Sequence, residues 1–238
     1  DPDPPPRLLE HARAIGARLL RVGHDYDFGR AGATWRWRSD EAQFDGLPPP
    51  MLAGEHQLSN AAAALMALTS LRDRLPVDAV AIRAGLARAW LPGRFQVIPG
   101  PVEWILDVAH NPAAAAVLAD HLRRRACAGR TWAIMGLLAD KDADGVIQAL
   151  ASVVDEWRPV TLAGARGRTG ADLAARLRST DIRAIAPHDD IASACQAARA
   201  GADAGDRIVV LGSFHVVAPV LATQPWISDS SLPHSRET

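Results

Sequence analysis

The stretch Val102-Glu103-Trp104-Ile105-Leu106-Asp107-Val108-Ala109-His110-Asn111-Pro112 decides the fold. Its apolar run, Val102–Val108, reads as a buried strand. A polar loop follows, and a helix is predicted near 113–127. Asn111 suits the cap of that helix and Pro112 its first residue. The rhythm recurs down the chain. Apolar runs Trp132–Gly136, Pro159–Ala163, Ile182–Ala186 and Arg207–Leu211 alternate with helical stretches near 141–155, 170–179, 189–202 and 214–222. This spacing predicts βαβ units, hence an α/β domain with a parallel sheet covered by helices on both faces.

The preceding residues read differently. A helix is expected over 7–16, a strand over Ala17–Gly23 and a turn-rich loop over His24–Gly32. Thr34-Trp35-Arg36-Trp37-Arg38 alternates with period two and predicts a half-exposed strand. Trp35 and Trp37 suit one packed face of a sheet; beside Arg36 and Arg38 they also suit a stacking platform. Leu47-Pro48-Pro49-Pro50 excludes regular structure. Helices follow at Gln57–Leu71 and Asp78–Trp90, the second stopped by Leu91-Pro92-Gly93. A boundary and hinge are expected within Gly93–Pro101. The expected units are therefore 1–95, 96–223 and a loose polar tail, 224–238.

Composition bounds the function. The 238 residues, 48% hydrophobic, make roughly 1.6 domains of average size and exclude wholesale disorder. Net charge is −1, so no global basic field gathers nucleic acid or an anionic membrane. No run of about 18 apolar residues is present, so no membrane span is expected. Cys127 and Cys195 are too few for a disulfide scaffold or a four-thiolate zinc site, and a cytoplasmic protein is expected. The chain opens Asp-Pro-Asp-Pro-Pro-Pro, without Met, and reads as the middle of a longer protein.

In an open parallel sheet, ligands bind beyond the carboxyl ends of the strands. Three such loops are unusually polar. Asp107–Pro112 places a carboxylate, a histidine and a cap at a helix start, where free N–H groups favour anions. Gly136–Asp142 carries Lys141, the sole lysine, between Asp140 and Asp142. Gly212-Ser213-Phe214-His215 closes the last strand. Capping and surface ion pairs account for each loop singly; convergence on one ligand accounts for the three together. Earlier in the chain, Asn60 at a helix start offers the donor and acceptor that adenine requires. Arg94, in Leu91-Pro92-Gly93-Arg94-Phe95-Gln96, suits a phosphate clamp or a pair with a nearby acid.

Gly23–Phe28, His56-Gln57 with Asn60-Ala61-Ala62, Pro92–Gln96, Asp107–Pro112, Asp140-Lys141-Asp142 and Gly212–His215 stand, in this order, as they do in the Mur ligase superfamily. The sequence resembles in particular its bacterial dihydrofolate synthase/folylpolyglutamate synthase branch, over nearly the whole chain except the tail. The resemblance implies a C-terminal Rossmann-like ligase domain, preceded by the partial end of the family's ATPase domain. It implies an ATP-dependent ligase adding L-glutamate to dihydropteroate and to reduced folates through an acyl phosphate. ATP and Mg²⁺ are the implied cofactors, and the implied partners are small molecules, with no nucleic acid, no membrane and a monomeric state. Asn60 resembles the adenine contact, Arg94 the arginine reaching the phosphates, Asp107 the ribose contact, and His110 a residue beside the nucleotide. Asn111, Lys141 and Ser213 fall on the substrate side, where the amino acid arrives. Arg94, His110 and Lys141 are the residues expected to carry catalysis.

The chain departs from the family in having no Gly-rich loop ending in Gly-Lys-Ser/Thr. The family's phosphate-cradling lysine, magnesium ligands and modified lysine are expected outside these residues, so the chain is expected to be a C-terminal half that does not ligate alone. Val216 stands where relatives often carry Thr. A non-catalytic nucleotide- or amino-acid-binding module is the alternative. A Rossmann-type oxidoreductase lacks its Gly-x-Gly-x-x-Gly after the first βαβ strand.

Overall fold

Trp35 and Trp37 are almost completely buried, and they organise the first part of the chain. The computed structural model describes residues 3–51, 55–180 and 186–223, which fall into two compact units, Asp1–Leu91 and Pro92–Thr238. In the first, α1 (Pro6–Ala14) precedes a three-stranded antiparallel sheet of β1 (Tyr26–Ala31), β2 (Thr34–Ser39) and β3 (Gln43–Leu47), followed by α2 (Glu55–Ser70) and α3 (Ala79–Arg88). The Trp37 indole donates to the Ala62 carbonyl of α2 at 3.0 Å, and its ring packs beside Tyr26 and Phe44. The packed-face reading of the tryptophans therefore holds.

Two local expectations do not. Ala17–Gly23 is no strand; only Val22 forms an isolated bridge. The strand is Tyr26–Ala31, inside the stretch expected to be a loop. Its turn residues are overridden by pairing: all six residues of β1 face β2, and Phe28 packs edge-on against Trp35. β3 escaped the pattern because Asp45 and Gly46 interrupt it, and its ladder with β2 shifts register at that point.

The second unit holds a five-stranded sheet of order β4-β5-β8-β6-β7. Its strands are β4 (Gln96–Ile98), β5 (Glu103–Asp107), β6 (Thr131–Met135), β7 (Glu156–Pro159) and β8 (Arg207–Leu211). Four are parallel, as expected, and β4 is antiparallel at the edge. The helices are α4 (Pro112–Arg124), α5 (Ala143–Leu150), α6 (Gly170–Ser179), α7 (Ile191–Gly201) and α8 (Phe214–Thr223). Ile105, Ala133 and Val209 point to one face, packed by α4, α5 and α6. Trp104, Ile134 and Val210 point to the other, packed by α7 and α8. Both faces are thus dry, which is why the middles of β5, β6 and β8 are apolar without alternation.

β4 lies in the segment expected to be a hinge. Gln96–Ile98 pairs with Trp104–Leu106 and is part of this sheet, and the units divide after Leu91 rather than at 95/96. β7 comes earlier than the expected Pro159–Ala163; of that stretch only Pro159 belongs to the strand, although Val160 N beyond it still donates to the Met135 carbonyl at 2.9 Å. Of the expected strand Ile182–Ala186, residues 182–185 lie outside the described residues, as does the tail 224–238.

At the opposite end of the sheet from the strand exits, the buried Asp206 ties three segments together. Its carboxylate accepts from Arg130 N at 2.7 Å, the Trp132 indole at 2.8 Å and Asp203 N at 3.1 Å. Burial acts to raise its pKa, but these bonds prevail and hold the carboxyl below its ordinary value. A depressed carboxylate stabilises the fold above its unfolded-state value and loses that contribution as pH falls through the folded one. Asp206→Ala is expected to cost about 3 kcal/mol at neutral pH. The difference from the parent should shrink below about pH 4, as chemical unfolding at several pH values will show.

Candidate functional site

The site follows from strand register. Asp107 of β5 lies opposite Leu211 of β8, and Leu211 lies opposite Met135 of β6. The three strands end level, so Val108, Gly212 and Gly136 leave the sheet side by side. Gly136 N donates to the Leu211 carbonyl. Gly212 has φ +127, and a Cβ on it would stand 1.8 Å from the Gly136 carbonyl oxygen. Only glycine permits this approach.

These exits line a cavity of about 260 Å³ with Arg94, His110, Lys141, Ser213, Phe214 and His215 on its walls. Arg94, His110, Lys141 and Ser213 are thus brought together. Asp107 is adjacent but acts beneath the wall: its two oxygens accept Phe95 N at 2.8 Å and Ala109 N at 2.7 Å. Burial pushes its carboxyl above the ordinary carboxylate range, against the pull of these two N–H groups and of the Arg94 and His121 charges. Val108 N donates to the Gly93 carbonyl at 2.9 Å. Arg94 is therefore fastened on both sides, and between the fastenings Phe95 takes φ 45, a left-handed conformation costly for a side-chain-bearing residue. The Arg94 side chain is exposed at the cavity rim.

His110 places Nδ1 2.8 Å from the Val108 carbonyl. A carbonyl only accepts, so Nδ1 carries the proton and, in the neutral ring, Nε2 carries the lone pair. Asn111 caps α4, its side-chain oxygen accepting Ala114 N at 2.8 Å. Lys141 lies in the turn before α5, whose cap is Asp142 rather than Asp140. Its Nζ is 3.2 Å from Asp140, which also holds Arg166 at 3.1 Å. Arg166, and Lys141 after it, keep the Asp140 carboxyl below its ordinary value. Ser213 opens α8 and accepts His215 N at 3.1 Å. Asn60 belongs to the first unit, exposed on α2, and donates to Gln57 at 3.1 Å.

The cavity therefore presents Arg94, Lys141 and two imidazoles. Asp140, beside Lys141, is shared between two cations. Such a site suits a carboxylate or phosphate. His215 and Phe214 were legible as part of a quoted motif but were not singled out as site residues. Among the described residues, no group of three or more His, Cys, Asp or Glu is close enough to hold a metal ion. No helix among them is long and apolar enough to cross a membrane.

Gly212→Ala is expected to destabilise the fold by about 3 kcal/mol or more, through the clash with Gly136 and the strained φ. A thermal melt will measure it; an unchanged melting temperature would contradict the contact.

Comparisons with known proteins agree with this architecture. Residues 93–214 match the family model described as Mur ligase, glutamate ligase domain. The dihydrofolate synthase/folylpolyglutamate synthase of Escherichia coli (strain K12) is 37% identical over 221 residues, which are 93% of this chain and 50% of that protein. The structure of E. coli FolC in complex with DHPP and ADP is similar with TM-score 0.78 and 37% identity, over 93% of this chain and 51% of the other. A bifunctional folylpolyglutamate synthase/dihydrofolate synthase with Mn, AMPPNP and L-glutamate bound is similar with TM-score 0.77 and 39% identity, over 93% and 51%. The chain spans about half the length of the curated relatives it matches.

Proposed function

The chain belongs to the Mur ligase family, matched through its glutamate ligase domain, and from that premise we propose that it supplies the amino-acid pocket of an ATP-dependent ligase that joins L-glutamate to dihydropteroate and to reduced folates. The observation that carries the reading is the meeting of Arg94, His110, Lys141 and Ser213 in one cationic cavity at the level ends of three strands. The similarity to a relative solved with L-glutamate bound supports the choice of amino acid.

The chemistry has two steps. The pteroate carboxylate takes the γ-phosphoryl of ATP, giving an acyl phosphate and ADP. The glutamate amine then attacks the acyl carbon, the bond to phosphate oxygen breaks, and the amide forms with release of phosphate. The residues of this chain act mainly by positioning and by neutralising charge. Lys141 pairs with a glutamate carboxylate, and the Ser213 hydroxyl donates to it. Asn111, whose oxygen is spent on the α4 cap, retains its amide N–H groups for substrate. The His110 Nε2 lone pair is free to take the proton leaving the attacking amine. Arg94 supplies positive charge to the ATP phosphates. Asp107 keeps a lone pair on each oxygen beyond those its two amides use, which suits a ribose hydroxyl; Asn60 is assigned to adenine. Among the described residues no group of three or more His, Cys, Asp or Glu could hold a metal ion; a magnesium ion bound with ATP would add to the neutralisation of phosphate charge that Arg94 provides. The reading makes the partners small molecules and the compartment the cytoplasm.

The sole lysine makes the reading testable. L-glutamate is expected to slow acetylation of Lys141 several-fold, read by mass spectrometry of the modified peptide, and D-glutamate to do so less. Acetylation of Lys141 at an unchanged rate under saturating L-glutamate would overturn the assignment.

A further inference from the structure

The residue that sets where Lys141 stands is far from it in sequence. The loop Leu137–Lys141 is bonded along its length to the segment that leads into α6. Leu138 forms an antiparallel bridge with Gly167. Ala139 N donates to the Arg166 carbonyl at 2.8 Å, and Arg168 N donates to the Leu137 carbonyl at 3.1 Å. The Arg168 side chain, only 12% exposed, then reaches back across the loop. Its Nη2 donates to the Ala139 carbonyl at 2.7 Å and to the carbonyl of Lys141 itself at 3.0 Å. Its Nη1 is anchored by Asp172 in the first turn of α6. Asp172 also accepts from Arg176 at 3.0 Å, and Arg176 pairs with Asp144 in the first turn of α5.

We propose that the segment 164–168 is a clamp on the lysine loop and that Arg168 is a positioning residue for glutamate recognition. This rests on the reading of Lys141 as the group that receives glutamate. Arg168 fixes the peptide planes at 139 and 141, and so fixes the origin of the lysine side chain. Arg166 has the complementary task. By sharing Asp140 with Lys141 it leaves ammonium charge at Lys141 unspent for a substrate carboxylate. The clamp is itself seated tightly, since a Cβ on Gly167 would meet the Leu162 carbonyl oxygen at 1.8 Å. The planar guanidinium fork is essential here. It bonds two carbonyls and a carboxylate together, whereas an ammonium at the end of a lysine does not reach all three in one geometry.

The test uses the full chain with Arg168→Met and Arg168→Lys. Amide hydrogen exchange over 137–141 is expected to quicken in both, while the amides of β8 keep their protection. The L-glutamate concentration that half-protects Lys141 from acetylation is expected to rise roughly tenfold or more in both, since small misplacements of a binding group are costly. Should Arg168→Met also lose protection in β8, Arg168→Lys, which keeps the charge, carries the same expectation. Unchanged exchange over 137–141 would overturn the clamp, and so would a parent-like glutamate response in Arg168→Lys. Faster exchange in the variants with no glutamate protection in the parent would support the clamp while removing the glutamate reading of the pocket.

Discussion

Everything at the site depends on three parallel strands ending at one level. Hydrogen-bond register sets that level, and packing holds the register, because a one-residue slip would exchange the side chains fitted to the two helical layers. With Ile105, Ala133 and Val209 committed to one helical layer and Trp104, Ile134 and Val210 to the other, β5, β6 and β8 have one arrangement available. Three loops separated by up to a hundred residues then start as neighbours. The cavity is less a feature carved into the fold than the place where the sheet stops.

The same region accepts local costs. Phe95 is held in a left-handed conformation, and Asp107 keeps a buried carboxylate whose pKa burial raises. The two costs are linked, because Asp107 receives the Phe95 amide that the unusual backbone presents. What they achieve together is a fixed root for Arg94 beside His110. Strain of this kind persists where surrounding structure over-determines it, and here bonds from Val108 and to Asp107 do so. Across the cavity, the largely buried Arg168 bonds the carbonyl of Lys141 while its own side chain stands outside the cavity wall.

Sequence reasoning reached the parallel sheet because strands buried on both faces are apolar without alternation. It reached the loops because Asn111-Pro112, Asp142 and Ser213 are local helix-start chemistry. It failed where partners, not neighbours, decide. Tyr26–Ala31 carries turn residues and becomes a strand because β2 pairs with it throughout. Gln96–Ile98 is three residues long, too short to show a period, and exists through pairing with β5. Arg168 bears no local mark of its role; its two carbonyl partners lie 27 and 29 residues away. Asn111 and Asp107 illustrate a subtler limit. Both residue types suit a ligand contact or a backbone contact; the cap made by Asn111 was legible beside Pro112, whereas the amides that Asp107 accepts come from Phe95 and Ala109 and only the fold shows them.

The backbone contact at Gly136 and Gly212 has an evolutionary corollary. Because a Cβ on Gly212 would meet the main chain of Gly136, no compensating change of side chain elsewhere can make room for a larger residue at 212, whereas Gly136 faces the side chains of Leu162 and Val216, which can change with it. Drift is therefore barred at the root of the last loop and left to the loop tips beyond, where Leu138 and Phe214 stand. Diversification of ligand preference among descendants would have to be written in those tips, on one unchanging glycine.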